Sequence, residues 1–440
     1  MSETTGKRFG CGKFLFIAFG FFVLIVICVS AWVTRSYHSL ANQIREKGEP
    51  ATFEELTSWV APVQDERNAA LKFKKAMELA EKPKTNVKIP NVSPFTELPP
   101  SSEQWTEELR TATATFIEAN KESYDLIREA TQQPDSNYQL DVRLAAQGKE
   151  SNVFTGVRDL TRFQCLCVAY EIDAGKTADA IDSAIRGLAV ADSLRNEPFI
   201  ISLLIRNACN AMGVASVERL LSSGSPVDGN LEPIQDKLQA MDDKEALYRA
   251  FVSERVIVMD SPVGFTSADE VLFLIFRKQT TRLVTEIVDA SRLPNAERMV
   301  KIQAINANHN GVNASLLSEL NMTAHFAGLL NSTRESWDRN TALLRCAAVA
   351  VAIERYRQAT NVVPENLEAL VPGFLDTVPL DPFDGKALKY LRDESGYVVY
   401  SFGPNLTDDR GTPYNASSKE GDVGVRIGGE EVPAEAQTAH

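Results

Sequence analysis

Histidine is almost missing from this chain, with four in 440 residues. His38 adjoins an apolar run, His440 is the last residue, His309 sits among asparagines and His325 lies beside Phe326. HExxH, CxxC, GxSxG, P-loop and GxGxxG patterns are absent too. Their absence removes the zincin, redox, serine-hydrolase and nucleotide-binding readings that a short motif can carry. Paired acids such as Asp242-Asp243 and Asp408-Asp409 suit a glycosidase on paper. In an acidic protein such pairs are usually solvated faces.

Cysteine is also scarce, at six. Cys11 and Cys28 belong to the N-terminal segment, leaving Cys165, Cys167, Cys209 and Cys346 for the rest. Cys165 and Cys167 are two apart on a helical pattern, so they point to different faces and form no metal clip. Set among Leu, Val and Ala, all four read as buried thiols that behave as small hydrophobes. A single long-range disulfide such as Cys167–Cys209 is the competing reading. Positive charge is in deficit, 46 Lys and Arg against 59 Asp and Glu, for a net charge of −13. Phosphate contacts need clustered cations, so nucleic acid is excluded as a partner.

Long apolar runs are missing except for one. Phe14 to Val33 is twenty residues without a charge, and as a helix it covers ~30 Å, the hydrocarbon thickness of a bilayer. Lys7, Arg8 and Lys13 precede it, which places residues 1–13 in the cytoplasm and the bulk of the chain outside. Trp32 and Tyr37 suit the outer interface. A cleaved signal peptide ending near Val29-Ser30-Ala31 is the alternative, although the run has the length of an uncleaved anchor.

Beyond the anchor, residues 34–65 read as a juxtamembrane linker or a helix leading from the membrane. Residues 66–336 read as an extracytoplasmic helical body. Glu66 to Glu81 carries Ala70, Phe73, Met77 and Ala80 along one stripe. Lys82 to Ser102 holds five prolines and should be an extended excursion, after which Glu103 to Ala130 returns to helix. Three helices follow, Leu160–Ala174, Thr177–Leu194 and Pro198–Ser223. Further helices are expected at Leu231–Met241, Lys244–Val258, Ala268–Ala290, Pro294–Ala307 and Asn313–Ser336. No period recurs, so the expected architecture is an irregular bundle or solenoid-like body and not a repeat array.

The last stretch, 341–427, changes character. An alanine-rich helix (Thr341 to Gln358) leads into Pro364-Glu365-Asn366-Leu367 and Asp381-Pro382-Phe383-Asp384-Gly385. Leu388–Leu391 and Tyr397–Ser401 alternate apolar and polar residues around a turn, predicting a β-hairpin, and Val423–Ile427 adds a third strand. Residues 428–440 read as a disordered tail. The runs RCAAVAVAIERYRQATNVVPENLEALVP, DPFDGKALKY, YVVYSFGPN and GDVGVRI resemble the periplasmic part of a major pseudopilin of type II secretion. The layout as a whole is similar to single-span envelope proteins of planctomycete-type bacteria.

The pseudopilin resemblance implies a small α+β module with a short antiparallel sheet and a Ca²⁺ ion in the acidic loop before the last strand. Its ligands here are Asn405, Asp408, Asp409 and Asp422. From spacing alone the same residues describe a solvated turn. The N-terminus departs from that family: Leu15 stands where its mature helix carries Glu, and the apolar helix lies far from Thr341. The expected protein is therefore mainly α, anchored by one span and non-enzymatic, with envelope proteins as partners. An accessory of a secretion or pilus-like machine and a motif-free extracytoplasmic hydrolase are the alternatives.

Overall fold

The computed structural model describes residues 11–81, 88–89, 98–99, 103–224, 227–260, 269–310, 322–393 and 396–428. Fourteen α-helices and one three-stranded sheet lie within them. The mainly helical reading with a small antiparallel sheet holds.

The chain starts with α1 (Cys11–Glu46), 36 residues long. It contains the whole of Phe14–Val33, and Phe21, Leu24, Ile27 and Trp32 on it are between 55% and 66% exposed. Its C-terminal end is buried instead. Ala41 and Ile44 pack on Met259, with Tyr37 and Leu40 against them. The Tyr37 hydroxyl donates to the Met259 carbonyl at 2.7 Å, and Lys47 pairs with Asp289 at 2.7 Å. Residues 34–65 are thus packed, partly as α1 and partly as α2 (Phe53–Trp59), which is capped by Thr52 and buries Phe53 and Leu56.

Next come α3 (Ala69–Leu79), α4 (Glu107–Ala119) and α5 (Lys121–Ala130). The single helix expected over 103–130 breaks at Asn120, because its side chain serves other segments. Its Oδ1 accepts from Glu81 N at 2.8 Å and its Nδ2 donates to the Phe116 carbonyl at 3.0 Å. After the short α6 (Val142–Ala146), helices α7 (Ser151–Asp173), α8 (Thr177–Asp192) and α9 (Ile200–Ser222) pack against one another. A left-handed Gly175 at φ +69° turns α7 into α8. Gly213 lets α9 approach α8: a Cβ there would lie 2.8 Å from Leu188. Helix α9 is long and apolar enough to cross a membrane, but 67% of that window is buried inside the protein, so it is a core helix.

The remaining helices are α10 (Glu232–Ala240), α11 (Ala246–Asp260), α12 (Asp269–Ser291), α13 (Asn295–Asn310) and α14 (Met322–Thr360). The expected separation of a helix ending at Ser336 from another starting at Thr341 is corrected, because α14 runs unbroken for 39 residues. Polar Asp338, Asn340 and Thr341 fall at this expected break, and all three are buried. Helix α14 touches α9, α10, α12, α13 and the sheet, and so forms the axis of the molecule.

The sheet has strands β1 (Lys389–Arg392), β2 (Tyr397–Ser401) and β3 (Val423–Ile427) in that order, all antiparallel. Tyr390 pairs with Val399 and Val399 with Val425. Strand β2 is buried along its length and packs with β3 on the C-terminal half of α14. One hydrophobic core runs from Ala69 through α7, α8 and α9 to Val425 and Ile427, so the sheet shares its interior with the helices. Burying this apolar surface is the main stabilising force, at ~25 cal/mol per Å². Cys165, Cys167, Cys209 and Cys346 are free and buried, so the Cys167–Cys209 bridge does not form. The tail from 429 onward lies outside the described residues.

Candidate functional site

Where the sheet meets the helices a cleft of about 510 Å³ opens, within the usual range of small-ligand sites. Three helices, strands β2 and β3 and the loop between them wall it. Arg158 and Arg162 sit one turn apart on α7 and share a face. Helix α9 supplies Leu204, Ile205, Asn207, Ala208 and Met212, and α14 supplies Ser336, Arg339, Asn340 and Leu343. The sheet side brings Val398, Tyr400, Pro413, Tyr414, Asp422, Gly424 and Arg426.

The floor is apolar and the polar groups are arranged around it. Asn207 is 8% exposed and Asn340 4%. Asn207 Nδ2 donates to Ser336 Oγ at 3.2 Å, and Asn340 Oδ1 accepts from Asn210 Nδ2 at 3.0 Å. The other end of each amide, Asn207 Oδ1 and Asn340 Nδ2, has no protein partner. The Arg339 guanidinium lies over the Tyr414 ring at 4.8 Å, a cation–π contact, and its buried Nε is unpartnered. Arg426 is held elsewhere: its side chain pairs with Asp393 at 3.1 Å and its backbone N–H donates to Glu218.

The four residues expected to hold calcium lie between β2 and β3, and of them Asp422 lines this cleft. Asn405 Nδ2 donates to Asp409 Oδ2 at 2.9 Å, which also accepts from Gly421 N at 3.0 Å. Asp408 Oδ1 accepts from the Tyr400 hydroxyl and from Arg410 N, both at 3.0 Å. Asp422 Oδ2 accepts from Gly411 N at 2.7 Å. These side chains staple a loop that turns through left-handed Leu406, Arg410 and Gly411. Asp422 Oδ1 stays buried without a partner. Burial, with Asp409 and Asp408 nearby, pushes the Asp422 carboxyl up to about 6. Among the described residues no group of three or more His, Cys, Asp or Glu is disposed to hold a metal ion.

The other groups singled out in the sequence have structural partners. Asp242 pairs with Arg345 at 2.8 Å and Asp243 with Arg249, so the two acids serve two separate cations. Burial raises the Cys165 thiol to about 11 and Cys209 to about 12, which keeps them protonated and poorly nucleophilic. The side chains of His309 and His325 lie outside the described residues. Burial lifts Glu171 and Glu197 to about 7, but neither lines the cleft. Sequence reasoning found the acidic loop and missed the cleft. Its walls come from positions between Arg158 and Arg426, and no local spacing joins them. Comparison with protein-family models, curated proteins and solved structures finds no match for this chain.

Proposed function

We propose that this is a single-span, membrane-anchored protein whose body lies outside the cytoplasm and acts as a non-enzymatic binding component of the envelope. The observation that carries the reading is the division of α1. Its first part bears exposed Phe21, Leu24, Ile27 and Trp32, while its last turns are fastened to the body through Tyr37, Ile44 and Lys47. Large exposed apolar side chains along one helix demand an apolar surrounding, and the run Phe14–Val33 has the length to find it in a bilayer. Lys7, Arg8 and Lys13 favour the inside for the N-terminus. With no flexible spacer after Val33, the body is held against the outer membrane face.

The test is fractionation of the full chain carrying a C-terminal tag in bacterial cells. The protein should stay in the membrane pellet at alkaline pH, and in spheroplasts the tag should be digested by added protease. Release by carbonate, or a protected tag, would overturn the reading.

Calcium at the acidic loop belongs to the same proposal, supported by Asp422. A buried carboxylate oxygen with no donor, beside Asp408 and Asp409, is relieved by a cation. The loop must then exchange some of its staples for the ion. Melting temperature should rise with Ca²⁺ but not Mg²⁺, and the rise should vanish in Asp422→Ala; equal curves with Ca²⁺ and with chelator would remove the ion from the proposal.

A further inference from the structure

The cleft carries an excess of positive charge in a protein that is strongly negative. Four arginines line it against two carboxylates, Glu218 and Asp422, while the chain as a whole has a net charge of −13. Arg426 is neutralised by Asp393. Arg162 has only Asp159 on its own helix, at 3.7 Å and exposed. Arg158 and Arg339 have no carboxylate partner among the described residues. Unpaired guanidinium groups beside an apolar floor are a receptor for an anion, and the fork of Arg suits a carboxylate.

A second set of groups says what else the ligand carries. The buried amides of Asn207 and Asn340 leave one acceptor and one donor unused, and buried polar groups without partners are disfavoured unless something bonds them. Fatty-acid anions bring only acceptors at neutral pH and leave the Asn207 oxygen unmet. A peptide bond brings one N–H and one C=O together and matches both asparagines. Leu204, Ile205, Met212 and Leu343 then take an apolar side chain. The size of the cleft fits a few residues and no more.

We propose that this cleft binds the C-terminal end of a peptide or protein. The terminal carboxylate sits on Arg158 and Arg339, the last amide lies between Asn207 and Asn340, and an apolar terminal side chain lies on the α9 floor. The assignment deepens the reading of the body as a binding module and does not need the membrane anchor. Failure in a binding assay and failure in fractionation are therefore separate results.

The test is fluorescence anisotropy on the detergent-solubilised full chain, with N-terminally fluoresceinated pentapeptides ending in Leu, Val or Phe. Each is compared with its C-terminal amide and with fluorescein-labelled decanoate. The free acids should bind, and the amides should bind about tenfold or more weakly, as expected for loss of a charge-assisted bond. Arg158→Gln, at a half-exposed position, should lower affinity about tenfold with an unchanged circular dichroism spectrum. Ala208→Phe, which fills the floor, should abolish binding. Equal affinity for acid and amide overturns the carboxylate assignment. Decanoate binding without peptide binding overturns the peptide in favour of a lipid anion, and no binding by any peptide overturns the site.

Discussion

Up to Asn340, α14 buries charge and amide beside Ala327, Leu330 and Trp337. Asp338 is completely enclosed, accepting from Arg298 of α13 and from Arg334 one turn back, the latter at 2.6 Å. From Thr341 to Ile353 the same helix buries almost nothing but Ala, Val, Leu, Ile and Cys. The first half is located by direction, since hydrogen-bonded ion pairs tolerate little displacement. The second half is located by distance, since small side chains let β2 and β3 come close. The Tyr397 hydroxyl can then reach both the Ala350 carbonyl at 3.2 Å and Glu354 at 2.6 Å. A buried ion pair is weak evidence for stability but strict about completeness. The cleft lies where the two regimes meet, with Arg339 and Asn340 from the charged half and Leu343 from the apolar one.

The largest effect is expected from breaking the charged half. Asp338→Ala leaves Arg298 and Arg334 buried and uncompensated and should destabilise by about 3–5 kcal/mol, read from the urea midpoint. A loss below about 1 kcal/mol would mean that the network is solvated and the contrast is false. In the apolar half, Ala347→Leu should cost about 1–3 kcal/mol by overpacking and change the near-ultraviolet signal of the sheet tyrosines. A neutral result would show slack beneath the sheet.

A pH titration sharpens the same contrast between compensated and uncompensated acids in the body. Asp192 is buried, but Arg206, Lys237 and Arg195 around it hold its carboxyl down at about 2. Its contribution is present above the ordinary value near 3.8 and is lost as pH falls through about 2. Glu197 and Glu171 are raised by burial to about 7. Their contribution is full below the unfolded value near 4.5 and is lost as pH rises through about 7. Stability should peak on the acid side of neutrality and fall toward pH 8 by on the order of 1 kcal/mol per group. Glu197→Gln should flatten part of that fall in thermal melts, and an unchanged slope would dismiss Glu197 as its source. The smallest effect belongs to Arg158→Gln, whose stability should stay within about 0.5 kcal/mol of the parent in the same urea unfolding. A larger loss would make Arg158 a structural residue and not a ligand-facing one.

Local pattern carried the secondary structure far. The start of the helix at Thr177 and both ends of the strands Tyr397–Ser401 and Val423–Ile427 were legible, because period and turn residues agree there. Other helix limits were not: α7 begins at Ser151 and not at Leu160, and two further limits turn on a polar residue with a distant partner. Asn120 breaks a helical pattern because Glu81 uses its side chain. Asp338 and Asn340 fail to break one, because Arg298 and Asn210 meet them. The acidic loop was legible as a cluster, and the cleft beside it was not.

Period, charge and turn chemistry act between near neighbours, so the sequence alone determined the apolar helix, the helical body, the three strands and the acidic loop. Tertiary structure decided which polar side chains are buried and which remain unpaired. It also merged body and sheet into one core along α14 and brought Arg158, Asn207, Arg339 and Asp422 around one cavity. Those outcomes depend on partners supplied by segments hundreds of residues apart, and burial energy depends on what the partner is.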